Sequence, residues 1–305
     1  MVDWKKRIIT GVIAVPILLG ACLFKTSLLI VVIAASVFSL QEYTHIISEI
    51  LKKQTSSKYY FYVDKLSSLQ FIHLPILFFL QAVYFSQSQS DLELYQFLTI
   101  MMISLCGLIK FLQAKPKEKD VDEKTLLWLT FGYITGYVFY FLIFVQPLSF
   151  ILYAYNYDKG YSFIILHIIT AFQSDNGALF MGSALGKRLF CPRISPKKTI
   201  EGVFGAILLS VLTNILIYFF NVHVTPVMPD ITLSQYIIIG FLGSIAAVYG
   251  DLLESFVKRA ADTKDSGSIF PGHGGILDRL DSLMYSAPIV FMYIKMFVLN
   301  DKALV

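Results

Sequence analysis

Long apolar runs separated by short polar segments dominate the pattern along this chain. A transmembrane helix needs about 20 mostly apolar residues, and about nine segments of that kind can be distinguished. They are predicted near residues 8–24, 27–47, 69–86, 95–113, 125–146, 161–182, 202–221, 234–257 and 281–300. The pattern therefore predicts an all-α, polytopic integral membrane protein with about nine transmembrane helices.

The composition supports this class and excludes others. The chain is 56% hydrophobic and only 15% charged, whereas soluble proteins are about a quarter charged, so no soluble domain is predicted. The net charge of +4 is too small to indicate nucleic-acid binding. Residues 5–24 resemble a signal peptide, but no small-x-small cleavage site is evident and another apolar segment follows at once. We interpret them as a retained first transmembrane helix.

The basic residues predict the orientation. With a cytosolic N-terminus, most of the 25 Lys and Arg residues fall in cytosolic segments, as the positive-inside rule requires, and the C-terminus then lies outside. The two most polar connections, residues 183–201 and 258–280, are both cytosolic in this arrangement. A site built from them would act on cytosolic molecules such as nucleotides.

Polar residues within the apolar segments are concentrated towards the C-terminus. We expect three groups of helices: residues 1–92 with predicted helices one to three, residues 93–159 with helices four and five, and residues 160–305 with helices six to nine. The chemistry is expected in the last group, which holds nearly all of the unusual polar motifs.

The eighth predicted helix carries charged residues near its cytosolic end. Four polar residues share one helix face at spacings of i, i+4, i+7 and i+11: Asp251, Ser255, Lys258 and Asp262. Glu254 lies beside that face. The helical rise places Asp251 about 25 Å from the outer end, near the edge of the roughly 30 Å apolar core. Snorkelling at a helix end would explain the basic residues but explains Asp251 poorly.

Asp278 and Asp281 open the ninth predicted helix and are three residues apart, so their carboxylates can face the same point. They follow the glycine-rich segment 271–275. Glycines permit close backbone approach, and a helix start offers unpaired N–H groups to an anion. Acids also favour helix N-termini for electrostatic reasons alone. Together with Asp251, however, a shared hard cation is the better explanation, because such cations prefer oxygen ligands.

The segment 195–202 reads Ser-Pro-Lys-Lys-Thr-Ile-Glu-Gly. Ser195 and Pro196 form a favourable N-cap and N1 pair, so we expect them to start the seventh helix. Lys198 and Thr199 would then lie at the membrane surface, where they could hold phosphates. A basic anchor that only fixes orientation is the alternative.

Asp175 lies inside the sixth predicted helix, and an intramembrane carboxylate is a functional candidate by default. The Asn176-Gly177 pair suggests that the helix breaks there. A structural hydrogen bond between helices is the alternative for Asp175. Among the histidines only His273, which lies between glycines, is a site candidate, and no His/Cys spacing indicates zinc.

Together these motifs resemble the phosphatidate cytidylyltransferase family, also called CDP-diacylglycerol synthases. The family signature is filled by Ser255, Lys258, Arg259, Lys264, Asp265, Gly267, Pro271, Gly272, His273, Gly274, Gly275, Asp278, Arg279 and Asp281. The segments 250–255 and 195–202 match as well. Leu179 stands where the family carries an aromatic residue. The resemblance covers roughly residues 170–285.

The resemblance implies that CTP and phosphatidic acid are converted to CDP-diacylglycerol and pyrophosphate by a membrane-embedded homodimer. It implies a Mg²⁺ centre, with a second, monovalent cation such as K⁺, held by Asp251, Ser255, Asp278 and Asp281. The expected catalytic residues are Asp251, Asp278, Asp281, Lys258 and His273. The expected substrate and phosphate contacts are Ser195, Lys198, Thr199, Arg259, Lys264, Arg279, Gly274, Gly275 and Asp175. The compact length favours a bacterial plasma (inner) membrane, with the active site facing the cytosol.

Other functions stay open at this point. A CTP-dependent lipid kinase of the dolichol type would carry similar residues, but it would release CDP rather than pyrophosphate. A cation-coupled transporter is a second alternative, which the clustering of charge on one side disfavours. The spacing of Gly275, Asp278 and Asp281 does not match the CDP-alcohol phosphotransferases.

Overall fold

The computed structural model describes residues 16, 18–67, 73–85, 89–113, 122–157, 159–267, 269 and 274–299. In these ranges the chain is almost entirely helical. Ten α-helices are present there: α1 (Lys25–Lys53), α2 (Tyr60–Ser67), α3 (His73–Phe85), α4 (Gln89–Gln113), α5 (Glu123–Tyr140), α6 (Gln146–Tyr153), α7 (Gly160–Leu185), α8 (Ile200–His223), α9 (Leu233–Ala260) and α10 (Leu277–Tyr293). Single π-helical segments extend α5 (Phe141–Val145) and α10 (Ile294–Leu299), and 3₁₀ turns cover Ser57–Tyr59 and Ala154–Asn156.

Among the described residues, six helical stretches are long and apolar enough to cross a membrane. They are Lys25–Lys53, Glu93–Lys110, Glu123–Asn156, Gly160–Leu185, Ile200–His223 and Leu233–Ala260. Helix α3 is apolar but shorter, and the first predicted helix lies largely outside the described residues. The helical membrane class is thus confirmed, whereas the number of nine spans and the orientation stay predictions.

Helices α7 and α8 lie in close contact through two glycines. A Cβ on Gly177 would collide with the backbone carbonyl of Gly205, and a Cβ on Gly205 would collide with the side chain of Met181. Small residues permit this approach of membrane helices. The predicted break at Asn176-Gly177 is wrong, because α7 continues unbroken to Leu185. An intact helix keeps its backbone groups paired in the apolar bilayer, and Gly177 serves packing instead.

The connection between α7 and α8 forms a two-stranded antiparallel hairpin, β1 (Leu189–Cys191) and β2 (Ser195–Thr199). The expectation that Ser195 and Pro196 start the helix is therefore wrong. Strand pairing holds Ser195 opposite Cys191, and the helix begins four residues later than that cap requires. Thr199 is the N-cap, since its hydroxyl accepts a hydrogen bond of 3.1 Å from the Gly202 amide.

The C-terminal helices converge around one region. Helix α9 packs against α7, α8 and α10, and α10 also contacts α6 and α7. Helix α1 reaches the same region, where it touches both α9 and α10. The start of α10, the end of α9 and the hairpin are therefore brought to one place, although the sequence separates them widely.

Candidate active site

A polar cavity of about 610 Å³ lies between α7, α8, α9, α10 and the hairpin. This size falls within the range of small-molecule sites. Its polar lining consists of Asp175, Ser183, Lys197, Lys198, Thr199, Asp251, Lys258, Asp265, Asp278, Arg279, Asp281 and Ser282. Apolar side chains complete the wall on the side of α7, α8 and α9: Ala178, Leu179, Val203 and Val248. The cavity thus offers both charged and apolar contacts to a single ligand.

Three carboxylates meet beside this cavity. Oxygen atoms of Asp251, Glu254 and Asp281 lie within 4.8 Å of one another. Glu254 is 2% exposed and Asp281 is 9% exposed. The close approach depends on Gly250, because a Cβ there would collide with the backbone carbonyl of Asp281. Like charges held this near one another out of water are costly unless cations offset them.

Two lysines lie against this carboxylate group. Lys198 Nζ is 2.6 Å from Asp251 Oδ2. Lys258 Nζ is 2.5 Å from both Glu254 Oε2 and Asp278 Oδ1. These contacts join three carboxylates to two ammonium groups, and Asp281 adds a fourth carboxylate, so negative charge is in excess. A divalent cation would balance such a set of hard oxygen ligands.

Asp278 makes a different set of contacts from the three grouped acids. Its Oδ2 accepts hydrogen bonds from the amides of Gly275 and Ser266 at 2.7 and 2.9 Å, and from the Ser266 hydroxyl at 2.9 Å. Burial raises the pKa of Asp278, but the Lys258 ammonium and these donors outweigh it and hold the pKa below its ordinary value. Gly274 has a φ of +80°, and a Cβ there would collide with the Asp278 carboxylate. The described part of the loop is thus folded around Asp278.

Ser282 links two acids across the cavity. Its hydroxyl donates to Asp175 Oδ1 at 2.8 Å, and its amide donates to Asp281 Oδ1 at 2.8 Å. Asp175 is therefore held beside the carboxylate group although it comes from α7. Ser255 Oγ lies 3.5 Å from Asp251 Oδ1, at the limit of a hydrogen bond.

The remaining predicted residues divide between the cavity and its surroundings. Arg279 and Thr199 line the cavity. Arg259 joins the hairpin to the end of α9, since it donates to the carbonyls of Ile194 and Thr263 at 3.2 and 3.1 Å. Lys264 is exposed on the loop, and Ser195 lies in β2. His273 lies outside the described residues.

Asp262 does not lie on the predicted helix face, and this expectation is wrong. Helix α9 ends at Ala260, and Asp262 has a φ of 55°, which is incompatible with continuing the helix. Its exposed side chain instead pairs with Lys53 Nζ at 2.6 Å. It is therefore not part of the carboxylate group.

Sequence reasoning missed two acids at this site. The sequence predicts Glu254 only beside the functional face, yet it belongs to the carboxylate group. The motifs do not include Glu42 of α1, yet it is 6% exposed and accepts hydrogen bonds of 2.9 and 3.0 Å from amides at the start of α10. The signal for Glu42 was available, because a carboxylate within a predicted membrane helix is a functional candidate by default.

Known proteins resemble the chain over most of its length. A family model described as "Cytidylyltransferase family" matches residues 5–297. The phosphatidate cytidylyltransferase of Bacillus subtilis (strain 168) is 30% identical over 308 residues, which cover 97% of this chain and 100% of the relative. That of Haemophilus influenzae is 36% identical over 207 residues, or 67% and 70% of the two chains. That of Staphylococcus epidermidis (strain ATCC 12228) is 40% identical over 134 residues, or 44% and 49%. The likeness is therefore not confined to the polar motifs.

Proposed function

Since the chain belongs to the cytidylyltransferase family, we propose that it is a phosphatidate cytidylyltransferase. It forms CDP-diacylglycerol and pyrophosphate from CTP and phosphatidic acid. The observation that carries this proposal is one cavity in which buried carboxylates, lysines and an apolar wall occur together. The charged part suits the phosphates of a nucleotide, and the apolar part suits a lipid whose tails stay in the bilayer.

Mg²⁺ is the proposed cofactor, and the donor set fits it. Three carboxylates within 4.8 Å supply the hard oxygen ligands that Mg²⁺ prefers. We assign the ion to Asp251, Glu254 and Asp281, with Asp278 and Ser255 as the further ligands that the family resemblance implies. When bound, a divalent cation would neutralise phosphate charge and help to orient the nucleotide. A second, monovalent cation such as K⁺ and a homodimeric assembly are parts of the same proposal.

The protein side chains would chiefly position the substrates and offset charge. A phosphatidate oxygen forms a bond to the α-phosphorus of CTP while the bond to the leaving pyrophosphate breaks. Such transfers depend on in-line positioning and on electrostatic stabilisation. Lys198 and Arg279 line the cavity and would pair with phosphate oxygens. The attacking phosphate is already an anion, so no strong general base is needed, and His273 is assigned an orienting or donating role.

The proposed location is a bacterial inner membrane, with the cavity on the cytosolic side. Exposed basic residues on and beside the hairpin support this orientation: Lys187, Arg188, Arg193 and Lys197. Cytosolic segments carry an excess of such residues. CTP would then reach the cavity from the cytosol, and phosphatidic acid would reach it from the bilayer.

The test is product analysis on purified protein in liposomes with CTP, phosphatidic acid and Mg²⁺. We expect pyrophosphate and lipid-linked CMP from the wild type and from the control Asp262→Asn, which changes a side chain that is 82% exposed. The activity of Asp281→Asn should be at least about 100-fold lower than that of the wild type, as expected when a metal ligand is removed.

Each other outcome has a defined meaning. CDP release with a newly phosphorylated lipid would identify the kinase alternative. Ion flux without turnover would identify the transporter. Full activity of Asp281→Asn together with the expected products would leave the enzyme assignment standing and refute the proposed metal ligation.

A further inference from the structure

Glu42 holds the start of α10 from a distant part of the chain. Its Oε1 accepts a hydrogen bond from the Ile276 amide at 2.9 Å, and its Oε2 accepts one from the Leu277 amide at 3.0 Å. The first amides of a helix have no partner within the helix. A buried carboxylate is a strong acceptor for them, because hydrogen bonds to charged groups are the stronger class.

A serine connects this contact to the candidate active site. The Ser266 hydroxyl lies 2.9 Å from Glu42 Oε2 and 2.9 Å from Asp278 Oδ2. One hydroxyl carries one proton, so it donates to one of the two carboxylates at a time. Glu42, Ser266 and Asp278 therefore form one buried polar network that links α1 to the first turn of α10.

Two glycines are packed against the same carboxylate. A Cβ on Gly267 or on Gly275 would collide with Glu42 oxygens. Gly275 in the family motif is thus explained here by contact with Glu42, in addition to its amide bond with Asp278. The described ends of the connection between α9 and α10 are shaped around Glu42.

Helix α1 also holds the beginning of this connection. Lys53 Nζ donates to the Ala261 carbonyl at 2.7 Å and pairs with Asp262 Oδ2 at 2.6 Å. The Lys53 side chain is 43% exposed, so this second contact is worth little by itself. The beginning of the connection thus lies beside the end of α1, and Glu42 contacts its other end.

The geometry assigns to Glu42 the role of a positioning residue, which sets the first turn of α10 so that Asp278, Arg279 and Asp281 face the cavity. It does not itself line the cavity, so it acts through Ser266 and the α10 backbone. This inference rests on the proposed function and extends it to the N-terminal helices, to which the sequence assigns no chemistry.

The test compares Glu42→Gln with Glu49→Gln. Both change a carboxylate to an amide on α1, but the described contact of Glu49 is an ion pair of 3.8 Å with Lys52. The amide nitrogen of Gln cannot accept a hydrogen bond, so Glu42→Gln disrupts one arm of the contact. Hydrogen–deuterium exchange of at least one of the Ile276 and Leu277 amides in Mg²⁺-free protein should accelerate about 10- to 100-fold, as expected for a lost bond to a charged acceptor. Exchange should stay at the wild-type rate in Glu49→Gln.

A second readout follows the ion rather than the reaction. Added Mg²⁺ should raise the melting temperature, and the concentration that gives half of the maximal rise measures the affinity for the ion. In Glu42→Gln this concentration should be about 10-fold higher than in the wild type, which is the lower end of the loss in metal affinity expected for residues that orient metal ligands. Ser266→Ala removes the hydroxyl that lies between Glu42 and Asp278, while the Ser266 amide still donates to Asp278. It should therefore give a smaller shift of the same kind. If the two residues act through one contact, the double variant should shift the Mg²⁺ requirement by less than the product of the single shifts.

The outcomes separate this inference from the proposed function. Neither the exchange measurement nor the Mg²⁺ titration uses CTP or phosphatidic acid. If the wild type does not catalyse cytidylyl transfer, the enzyme assignment is overturned, but both measurements still test the positioning role of Glu42. Exchange rates and Mg²⁺ requirements in Glu42→Gln and Ser266→Ala equal to those of Glu49→Gln would overturn the inference. If Glu42→Gln does not fold, Ser266→Ala and Ser266→Thr decide, because Thr keeps the hydroxyl and should restore the wild-type values.

Discussion

Removing the charge of Asp281 should make the Mg²⁺-free protein more stable while it abolishes activity. Asp281 lies within 4.8 Å of two other carboxylates. At an effective dielectric constant of about 20, two unit charges at that distance repel by about 3.5 kcal/mol. Lys198 and Lys258 offset much of this repulsion, so we expect a net gain of about 1–2 kcal/mol for Asp281→Asn. That corresponds to a rise of about 2–6 °C in the melting temperature.

The assay is thermal unfolding in detergent, with and without Mg²⁺, for the wild type, Asp281→Asn and Asp262→Asn. The wild type should gain stability when Mg²⁺ is added, whereas Asp281→Asn should start higher and gain little. Asp262→Asn should follow the wild type, because its acid is exposed and is not one of the grouped carboxylates. A lower melting temperature for Mg²⁺-free Asp281→Asn, or an undiminished gain with Mg²⁺, would refute the argument from charge repulsion.

Three further predictions concern residues around the site. Lys198→Met should lower kcat/KM for CTP about 10- to 100-fold, because the proposed charged contact with a phosphate of CTP is lost. The control Lys187→Met, at an exposed lysine outside the cavity lining, should change kcat/KM much less in the same steady-state assay. Gly177→Ala should destabilise the protein by about 1–3 kcal/mol through overpacking against α8, which a lower melting temperature would show. In the control Gly20→Ala nothing lies within 4 Å of the new Cβ, so the melting temperature should not change. Thr199→Ala should cost about 1 kcal/mol through the lost N-cap of α8, and Thr199→Ser should restore the melting temperature; equal stability of the two variants would contradict the cap.

Local periodicity predicts only part of the carboxylate group. The sequence predicts that Asp251, Asp278 and Asp281 share a cation. The structure brings Asp251 and Asp281 within 4.8 Å of each other and of Glu254, whereas Asp278 lies outside that group and pairs with Lys258. Such predictions succeed because helix geometry fixes which residues share a face. The hydropathy pattern likewise predicted most of the long helices.

Contacts between distant segments could not be predicted in this way. Glu42 and Ile276 are separated by 234 residues, and no periodic pattern relates them. Ser195 and Pro196 carry a favourable capping signal, but pairing with β1 overrides it. At Gly177 the local signal for a break was weaker than the packing of α7 on α8. In each case a tertiary contact outweighed a local preference.

The contact between Glu42 and α10 has a consequence for the biogenesis of the protein. During synthesis α1 enters the membrane long before residues 276 and 277 leave the ribosome. Until then its carboxylate lacks the partners that it has in the folded protein, and insertion scales put an intramembrane acid at a cost of up to about 3 kcal/mol. Helix α1 is thus inserted with a carboxylate whose hydrogen-bond donors are supplied only when α10 has been made. A nascent chain that stops before α10 should therefore retain a poorly anchored α1, which membrane quality control can recognise.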